Sequence, residues 1–265
     1  MADNNERRDT VNEHITLTQK TDGLTFGTDA YLLAAYVKPQ AHARAVDLGS
    51  GTGIIPLLCL ARKKFFSCVA AEIQPAFGEL ILKNASENGM AERLTLWAGD
   101  IRELSATALG FEADIVTANP PYMTANGGAA NIHEKKYIAR HEVHGGIFDF
   151  CAAAGRILKH GGRFYCVFRP DRLSDLMAAM RAARLEPKRM TFVHATYAAT
   201  PSMVLVEATK GAAPSMMLTP PLCLWEADKE HPAKPAKPMQ PTADSDYIYA
   251  HCGFPNSFTV GNKHP

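Results

Sequence analysis

A glycine-rich turn with an acidic residue before it is the first feature of the sequence that is suited to chemistry. Asp47 stands two residues before Gly49 in the run DLGSGTG, which continues through Ser50, Gly51 and Gly53. Glycines let the backbone approach a ligand closely and open the helix that follows. The third glycine comes one residue earlier than in the dinucleotide pattern GxGxxG. The spacing therefore favours a cofactor that lacks a pyrophosphate and carries a cationic amino-acid end instead.

Two carboxylates follow at the ends of the next two apolar runs. Glu72 comes 23 residues after Gly49, where a carboxylate can accept hydrogen bonds from both hydroxyls of a ribose; a surface carboxylate is the alternative. Asp100 ends the third run and can accept a hydrogen bond from an adenine amine, although a helix N-cap explains it equally well. Both positions are consistent with a nucleoside bound across the ends of the strands.

The run Asn119-Pro120-Pro121-Tyr122 directly follows the fourth apolar run. Two prolines end a strand rigidly, and a simple turn is the alternative interpretation. Asn119 offers a side-chain carbonyl, Pro120 a backbone carbonyl and Tyr122 an aromatic face. Two acceptors on one amine draw its hydrogens out of the ring plane and free the lone pair for attack. These residues therefore predict a site that binds a planar group carrying an NH2. Positioning of the amine would promote the transfer of a group to it, without a metal or a strong base.

Alternating strands and helices must position these residues. We predict strands at 44–49, 68–73, 94–99, 114–119, 162–168, 190–195 and 203–208, and helices at 29–37, 54–64, 75–88, 148–159 and 171–184. The alternation predicts a mostly parallel sheet that is covered on both faces. Only seven residues separate the last two runs, which is too short for a helical crossover, so we expect an antiparallel hairpin at one end of the sheet.

Three segments divide the chain in this interpretation. Residues 1–13 are expected to form a flexible leader, residues 14–227 a single α/β domain, and residues 228–265 a Lys/Pro-rich linker with a tail. Within the domain, the long segment 123–147 is rich in glycine and basic residues, as functional or mobile loops often are.

Composition and charge exclude several classes of protein. Of the 265 residues, 46% are apolar and 21% charged, which excludes a wholly disordered chain, and the net charge of +1 excludes a uniformly basic protein. Lys and Arg nevertheless outnumber Asp and Glu twelve to six between residues 130 and 190, so this block is either a solvated surface or a phosphate-binding face. The six cysteines form no CxxC pair, so we expect buried thiols and no metal. With no signal-peptide core and no apolar run long enough for a bilayer, a cytoplasmic protein is expected.

Taken together, the motifs resemble those of class I S-adenosylmethionine-dependent methyltransferases that act on exocyclic or amide nitrogens. The match extends to GLTFGTDAYLLA (23–34), GGRFYCVFRPDRLSDL (161–176), KRMTFVHA (188–195) and VLVEATKG (204–211), which are similar to the bacterial tRNA1(Val) adenine(37)-N6-methyltransferase family. The resemblance covers about residues 15–225, and the Lys/Pro-rich segment after it departs from the family.

The resemblance implies a class I, Rossmann-like α/β fold with a mostly parallel, seven-stranded sheet and an antiparallel hairpin at one end. It implies methylation of adenine N6 in a tRNA substrate, at position 37 beside the anticodon, with Asn119, Pro120, Pro121 and Tyr122 as catalytic residues. The implied S-adenosylmethionine contacts are Phe26, Gly27, Thr28, Asp29, Asp47, Gly49, Ser50, Gly51, Gly53, Glu72, Ile73, Asp100, Ile101 and Asn119.

The tRNA itself needs contacts to its phosphates, and the basic block supplies the candidates. They are Lys135, Lys136, Arg140, Lys188 and Arg189. We expect that the protein does not bind a membrane and has no obligate protein partner.

Three other functions compete with this interpretation. Glutamine N5-methyltransferases of translation factors also use NPPY, but they usually carry a helical domain before the glycine turn, and only 46 residues precede Asp47. N6 methylation of ribosomal RNA or DNA stays open, although no room for a DNA target-recognition domain is visible. A non-catalytic RNA-binding module is disfavoured because Asn119 and Tyr122 are intact.

Overall fold

Strands that alternate with helices build the protein, as the apolar runs predict. The computed structural model describes residues 6–21, 27–121 and 146–259. In chain order, the strands are β1 (Glu6–Asn12), β2 (Ile15–Lys20), β3 (Arg44–Leu48), β4 (Ser67–Glu72), β5 (Leu94–Ala98), β6 (Ala113–Ala118), β7 (Leu158–Phe168), β8 (Leu185–His194), β9 (Pro201–Lys210), β10 (Met217–Leu218) and β11 (Leu222–Cys223). The helices are α1 (Thr28–Tyr36), α2 (Ile54–Ala61), α3 (Pro75–Glu87), α4 (Ala106–Leu109), α5 (Ile147–Ile157), α6 (Leu173–Ala182) and α7 (Ala243–His251).

The central sheet confirms the predicted topology. Its five parallel strands run in the order β5-β4-β3-β6-β7, and β9 lies antiparallel between β7 and β8. The hairpin of β8 and β9 is therefore at the end of the sheet where it was expected. The predicted count of seven strands is too low, because β10 and β11 each pair two residues with the outer edge of β8 and bring the described sheet to nine strands. Two residues are too few to show the alternation of apolar and polar residues by which a strand is predicted from sequence.

Two hydrophobic clusters lie on the two faces of this sheet. Ala45 of β3 belongs to the cluster that includes residues of α1, α2 and α3, whereas Val46 and Leu48 belong to the cluster that includes residues of α5 and α6. Successive side chains of a strand point to opposite faces, so a strand covered on both sides is mostly apolar. This burial explains why the central strands read as continuous apolar runs and not as alternating ones.

The N-terminal residues differ from the expected flexible leader. Glu6–Asn12 forms β1, which pairs antiparallel with β2 in a separate two-stranded sheet. This hairpin is attached to α3 by Asn84, a fully buried residue whose Oδ1 accepts from the Thr18 amide at 2.7 Å and whose Nδ2 donates to the Thr18 carbonyl at 3.1 Å. The sequence of β1, ERRDTVN, is mostly polar, with Val11 packed against a hydrophobic cluster, so the strand lacks the apolar run by which strands are predicted from sequence.

The C-terminal segment was expected to be a linker with a tail over residues 228–265, and its described part, residues 228–259, contains isolated bridges and the helix α7. Isolated bridges join Trp225 to Pro241 and Ala227 to Pro235, and thus connect the proline-rich part to the residues before it. Beyond it, Ile248 of α7 and Phe258 are buried in the same hydrophobic cluster as α1. Within the described residues, contacts therefore continue across the predicted boundary at residue 227.

The cysteines are free thiols, as expected. All six lie in the described part of the chain, where none forms a disulfide, and only Cys223 is not fully buried. Burial raises the pKa of the Cys151 thiol to about 12. Among the helices of the described ranges, none is both long and apolar enough to cross a membrane.

Candidate active site

Residues far apart in sequence meet at the carboxyl edge of the parallel strands. In the strand register, Asp47 of β3 pairs with Ala70 of β4 on one side and with Thr117 of β6 on the other. Glu72 ends β4, and Asn119 follows β6 directly. Since ligands of open α/β sheets bind outside this edge, the predicted cofactor and target residues lie where a site is expected.

The glycine turn is held in a conformation that needs glycine. Gly49, Gly51 and Gly53 have φ values of 65°, 57° and 81°, in the left-handed region. A Cβ on Gly49 would lie 3.2 Å from the ring of Phe150, whereas a Cβ on Gly51 would meet no atom within 4 Å. The turn thus packs closely on one side and leaves open space at Gly51, as a loop that cradles a ligand must.

Glu72 is a buried carboxylate that supports this turn. Its side chain is 5% exposed; Oε2 accepts from the Gly51 amide and Oε1 from the Gln74 amide, both at 2.9 Å. A carboxylate has about four acceptor positions, so holding the backbone is compatible with accepting from a diol. This burial excludes the alternative of a surface carboxylate, and the ribose contact of Glu72 stays a prediction.

Asp47 is fully buried beneath the turn. Its Oδ2 accepts from the Ser50 hydroxyl at 2.6 Å and its Oδ1 from the Thr117 hydroxyl at 2.5 Å. Burial raises the pKa of Asp47 to about 7; the negative charge of Glu72 adds to the shift, and the two hydroxyl donors oppose it. The carboxyl group therefore changes its charge near neutral pH, where a cationic ligand beside it would favour the ionised form.

The raised pKa predicts a pH-dependent stability. The ordinary pKa of an aspartate is near 3.8 and the folded value is about 7, so the folded state holds the proton more tightly between these two pH values. Stability from this group is present at low pH and is lost as pH rises through about 7. We expect the free energy of unfolding of the wild type to fall by about 2–3 kcal/mol relative to Asp47→Asn between pH 5 and pH 8. Urea unfolding of both proteins measures this, and parallel pH profiles would contradict it.

Asn119 contacts the start of α1 across 90 residues of sequence. Its Nδ2 donates to Oδ2 of Asp29 at 2.9 Å, and Oδ1 of Asp29 accepts from the Ala30 amide at the same distance. Pro120 after it is buried and Pro121 is exposed. The structure therefore joins the predicted cofactor segment at residues 27–29 to the predicted target-binding turn.

An open cavity of about 180 Å³ lies beside Asp29. It is lined by Thr28, Asp29, Phe168, Arg169, Ser202 and Met203. The last four were not predicted as site residues. The predicted antiparallel direction of β9 could have indicated these residues, because it brings the start of β9 to the same edge of the sheet as the end of β7.

The remaining predicted cofactor contacts lie near this edge or outside the described residues. Asp100 follows β5, is 17% exposed, accepts from the Arg102 amide at 2.9 Å and forms an ion pair with the Arg102 guanidinium. Ile73 directly follows Glu72, while Ile101 is buried in a hydrophobic cluster. Residues outside the described ranges are Phe26, Tyr122, Lys135, Lys136 and Arg140.

Arg189 was wrongly predicted as an RNA contact. It is 1% exposed; its Nε lies 2.9 Å from Oε2 of Glu207 and its guanidinium stacks 3.7 Å over the ring of Tyr36. A side chain enclosed in this way is not accessible to a phosphate. Lys188 stays a prediction, but it lies in the first half of β8, toward the edge opposite the site, and donates to the Ala213 carbonyl and the Ser215 hydroxyl.

Comparison with protein families gives a match over more than half of the chain. The model of the methyltransferase small domain family matches residues 21–182. A protein of Porphyromonas gingivalis described as tRNA1(Val) (adenine(37)-N6)-methyltransferase is 29% identical over 173 residues, which are 63% of this chain and 67% of the relative. A Bacteroides fragilis protein of the same description is 26% identical over 175 residues, 66% of this chain and 73% of the relative.

Solved structures share the fold at lower identity. A predicted O-methyltransferase from Agrobacterium tumefaciens superposes with a TM-score of 0.66 at 21% identity, covering 86% of this chain and 98% of that one. TYW2 of Pyrococcus horikoshii superposes with a TM-score of 0.54 at 13% identity, covering 80% of this chain and 74% of that one. These likenesses support the fold that was expected from the sequence.

Proposed function

The chain belongs to the methyltransferase small domain family, and from that premise we propose that it methylates N6 of an adenine in tRNA, at position 37 of tRNA1(Val). The observation that carries the proposal is the position of Asn119, whose amide lies at the same sheet edge as the glycine turn and is held by Asp29. The descriptions of the Porphyromonas and Bacteroides relatives support the choice of substrate.

The residues at the glycine turn fit S-adenosylmethionine. Space is open at Gly51, and the buried carboxylate of Glu72 beside it suits a ribose diol. Asp47 provides negative charge below the turn for a cationic amino-acid end, and Asp100 follows the strand next to β4. S-adenosylmethionine, when bound, supplies a methyl group on a positively charged sulfur, and it needs no metal to be reactive.

Asn119 and Pro120 are proposed to hold the target amine. The amide oxygen of Asn119 and the backbone carbonyl of Pro120 both accept hydrogen bonds, and Pro120 has no amide hydrogen to compete. With its two N–H groups engaged, the amine keeps its lone pair free of the ring and directed at the methyl donor. The chain thus contributes orientation, which is worth several kcal/mol when two reactants are held in a near-attack arrangement.

The cavity beside Asp29 is proposed to admit the target base. It opens at the carboxyl edge between the start of α1, the end of β7 and the start of β9. A base in an anticodon loop leaves its stack at low cost, since it is already single-stranded. The phosphates around it are proposed to contact Lys135, Lys136 and Arg140 in the segment that follows the NPPY turn.

Transfer of labelled methyl groups to defined substrates tests the proposal. The purified protein and labelled S-adenosylmethionine are incubated with a transcript of tRNA1(Val), with the same transcript carrying guanine at position 37, and with ribosomal RNA and a translation factor as competing acceptors. We expect label on the first transcript alone, in N6-methyladenosine after nuclease digestion. Label on the protein acceptor would instead favour glutamine methylation, and label on ribosomal RNA would leave the chemistry but change the substrate.

A further inference from the structure

The hydrogen bond between Asp29 and Asn119 has a fixed direction. A carboxylate accepts hydrogen bonds and does not donate them, while the amide of asparagine has a donating nitrogen and an accepting oxygen. Of the two polar atoms of the Asn119 amide, only Nδ2 can donate to Asp29, and it lies 2.9 Å from Oδ2 of Asp29. The oxygen Oδ1 of the same planar amide must then point away from Asp29.

We infer that Asp29 is a positioning residue that fixes the orientation of the Asn119 amide, and that it does not serve as a ligand of the cofactor. The inference rests on the proposed function, in which Oδ1 of Asn119 accepts from the target amine. If the amide were free to turn over, its nitrogen would face the amine, and two groups that only donate cannot form a hydrogen bond. Asp29 removes that second orientation.

Asp29 is itself held in place from both ends of its helix. Its Oδ1 accepts from the Ala30 amide at 2.9 Å within the first turn of α1, and residues 30–36 of α1 are all buried. At the other end, Nζ of Lys64 donates to the carbonyls of Ala34, Ala35 and Val37 at 2.6, 2.8 and 2.9 Å. Lys64 is only 3% exposed, so it caps the helix from inside the protein. A helix anchored in this way holds the carboxylate at a fixed distance from Asn119.

The same contact makes Oδ1 a better acceptor. When an amide N–H donates to a negatively charged oxygen, the amide is polarised and electron density increases at its carbonyl oxygen. Asp29 is also one of the residues that line the cavity proposed for the target base. Asp29 thereby supplies both the direction and the strength of the hydrogen bond that Asn119 offers.

Asp29→Asn is the decisive variant, because it keeps the size of the side chain and removes the preference for a donor. We expect kcat to fall about 10–100-fold, since misorientation of a group at the reacting centre has effects of this size. The Kd for S-adenosylmethionine should stay within about twofold. In an Asn119→Ala background, Asp29→Asn should cause no further loss, because both changes remove the same hydrogen bond. Asp244 is an exposed aspartate in the first turn of α7, and Asp244→Asn is the matched control. It should leave kcat and the Kd for S-adenosylmethionine unchanged, and should cause no change in the Asn119→Ala background.

A spectroscopic measurement separates this inference from the proposed function. In protein labelled with 15N-asparagine, the Asn119 side-chain amide should show one strongly shifted, slowly exchanging proton that is absent in Asp29→Asn, whatever substrate the enzyme accepts. If the wild type methylates another acceptor, the proposed function fails while the amide signal and the loss in kcat persist. A higher Kd for S-adenosylmethionine with kcat unchanged, or an Asn119 amide signal that Asp29→Asn does not alter, would overturn the inference.

Discussion

Asn119→Ala should reduce kcat for methyl transfer at least about 100-fold and leave the Kd for S-adenosylmethionine within about threefold. Removal of one oriented polar group that acts at the reacting centre costs on the order of 10²–10³ in rate. Asn119 follows β6 and contacts Asp29, whereas the proposed cofactor site is formed by the glycine turn and Glu72. The loss should therefore fall on the chemical step and not on cofactor binding.

Single-turnover transfer to tRNA and calorimetry with S-adenosylmethionine measure the two effects separately. Asn256→Ala, in an exposed turn after α7, is the control for the loss of an amide and should retain wild-type activity. Weaker cofactor binding with the rate of the bound enzyme unchanged would place Asn119 in the cofactor site alone.

Arg189→Met should lower the free energy of unfolding by about 3 kcal/mol, although an arginine on a basic stretch of sequence suggests a surface role. Removing one partner of a buried ion pair costs about 3–5 kcal/mol, because the other charge stays buried. We expect the lower end of this range, because Lys38 lies 3.2 Å from the 4%-exposed Glu207 and still neutralises part of its charge in the variant. The change also removes the donor to the Tyr36 carbonyl at 2.7 Å.

Lys188→Met is the matched control for Arg189→Met. It removes a neighbouring, partly exposed positive charge and should change stability by less than about 1 kcal/mol. Urea unfolding compares the two variants, and tRNA binding is measured with the same preparations. If Arg189→Met unfolded like the wild type but bound tRNA more weakly, the structural role would be wrong and the original prediction would be restored.

The parts of the site that follow from the sequence are those fixed by strand order and local motif. Asp47, Glu72 and Asn119 each stand at the end of an apolar run, and parallel strands bring such ends to one edge. Their meeting place could therefore be predicted without knowledge of any side-chain contact.

The contact between Asp29 and Asn119 could not be predicted in this way. The helix that carries Asp29 precedes the first strand of the central sheet, so the alternation of strands and helices does not determine where it packs. Its position depends instead on buried groups such as Lys64, and on contacts with residues near 250. Spacing in the sequence contains no information about such contacts.

The error about Arg189 has a different origin. Charge counting treats every arginine as exposed, yet Arg189 pairs in register with Glu207 on the neighbouring strand β9. The sequence feature that indicates burial of Arg189 is a glutamate inside the apolar run VLVEA, opposite an arginine beside the run MTFVHA. Aligning the two strands of the predicted hairpin would have placed the two charges side by side and indicated a buried ion pair.

The packing of the C-terminal segment against α1 has a consequence for how the chain folds during synthesis. Tyr249 stacks on Tyr31, with ring centroids 4.9 Å apart, and Phe258 is 1% exposed in the cluster that surrounds α1. The first helix of the chain thus acquires its final neighbours only when residues up to 258 have left the ribosome. Until then we expect the part of Tyr31 that Tyr249 covers to be exposed, and exposed apolar surface makes partly folded chains prone to aggregation. A stalled or truncated product that ends near residue 242 would contain every proposed catalytic residue and still lack a closed core.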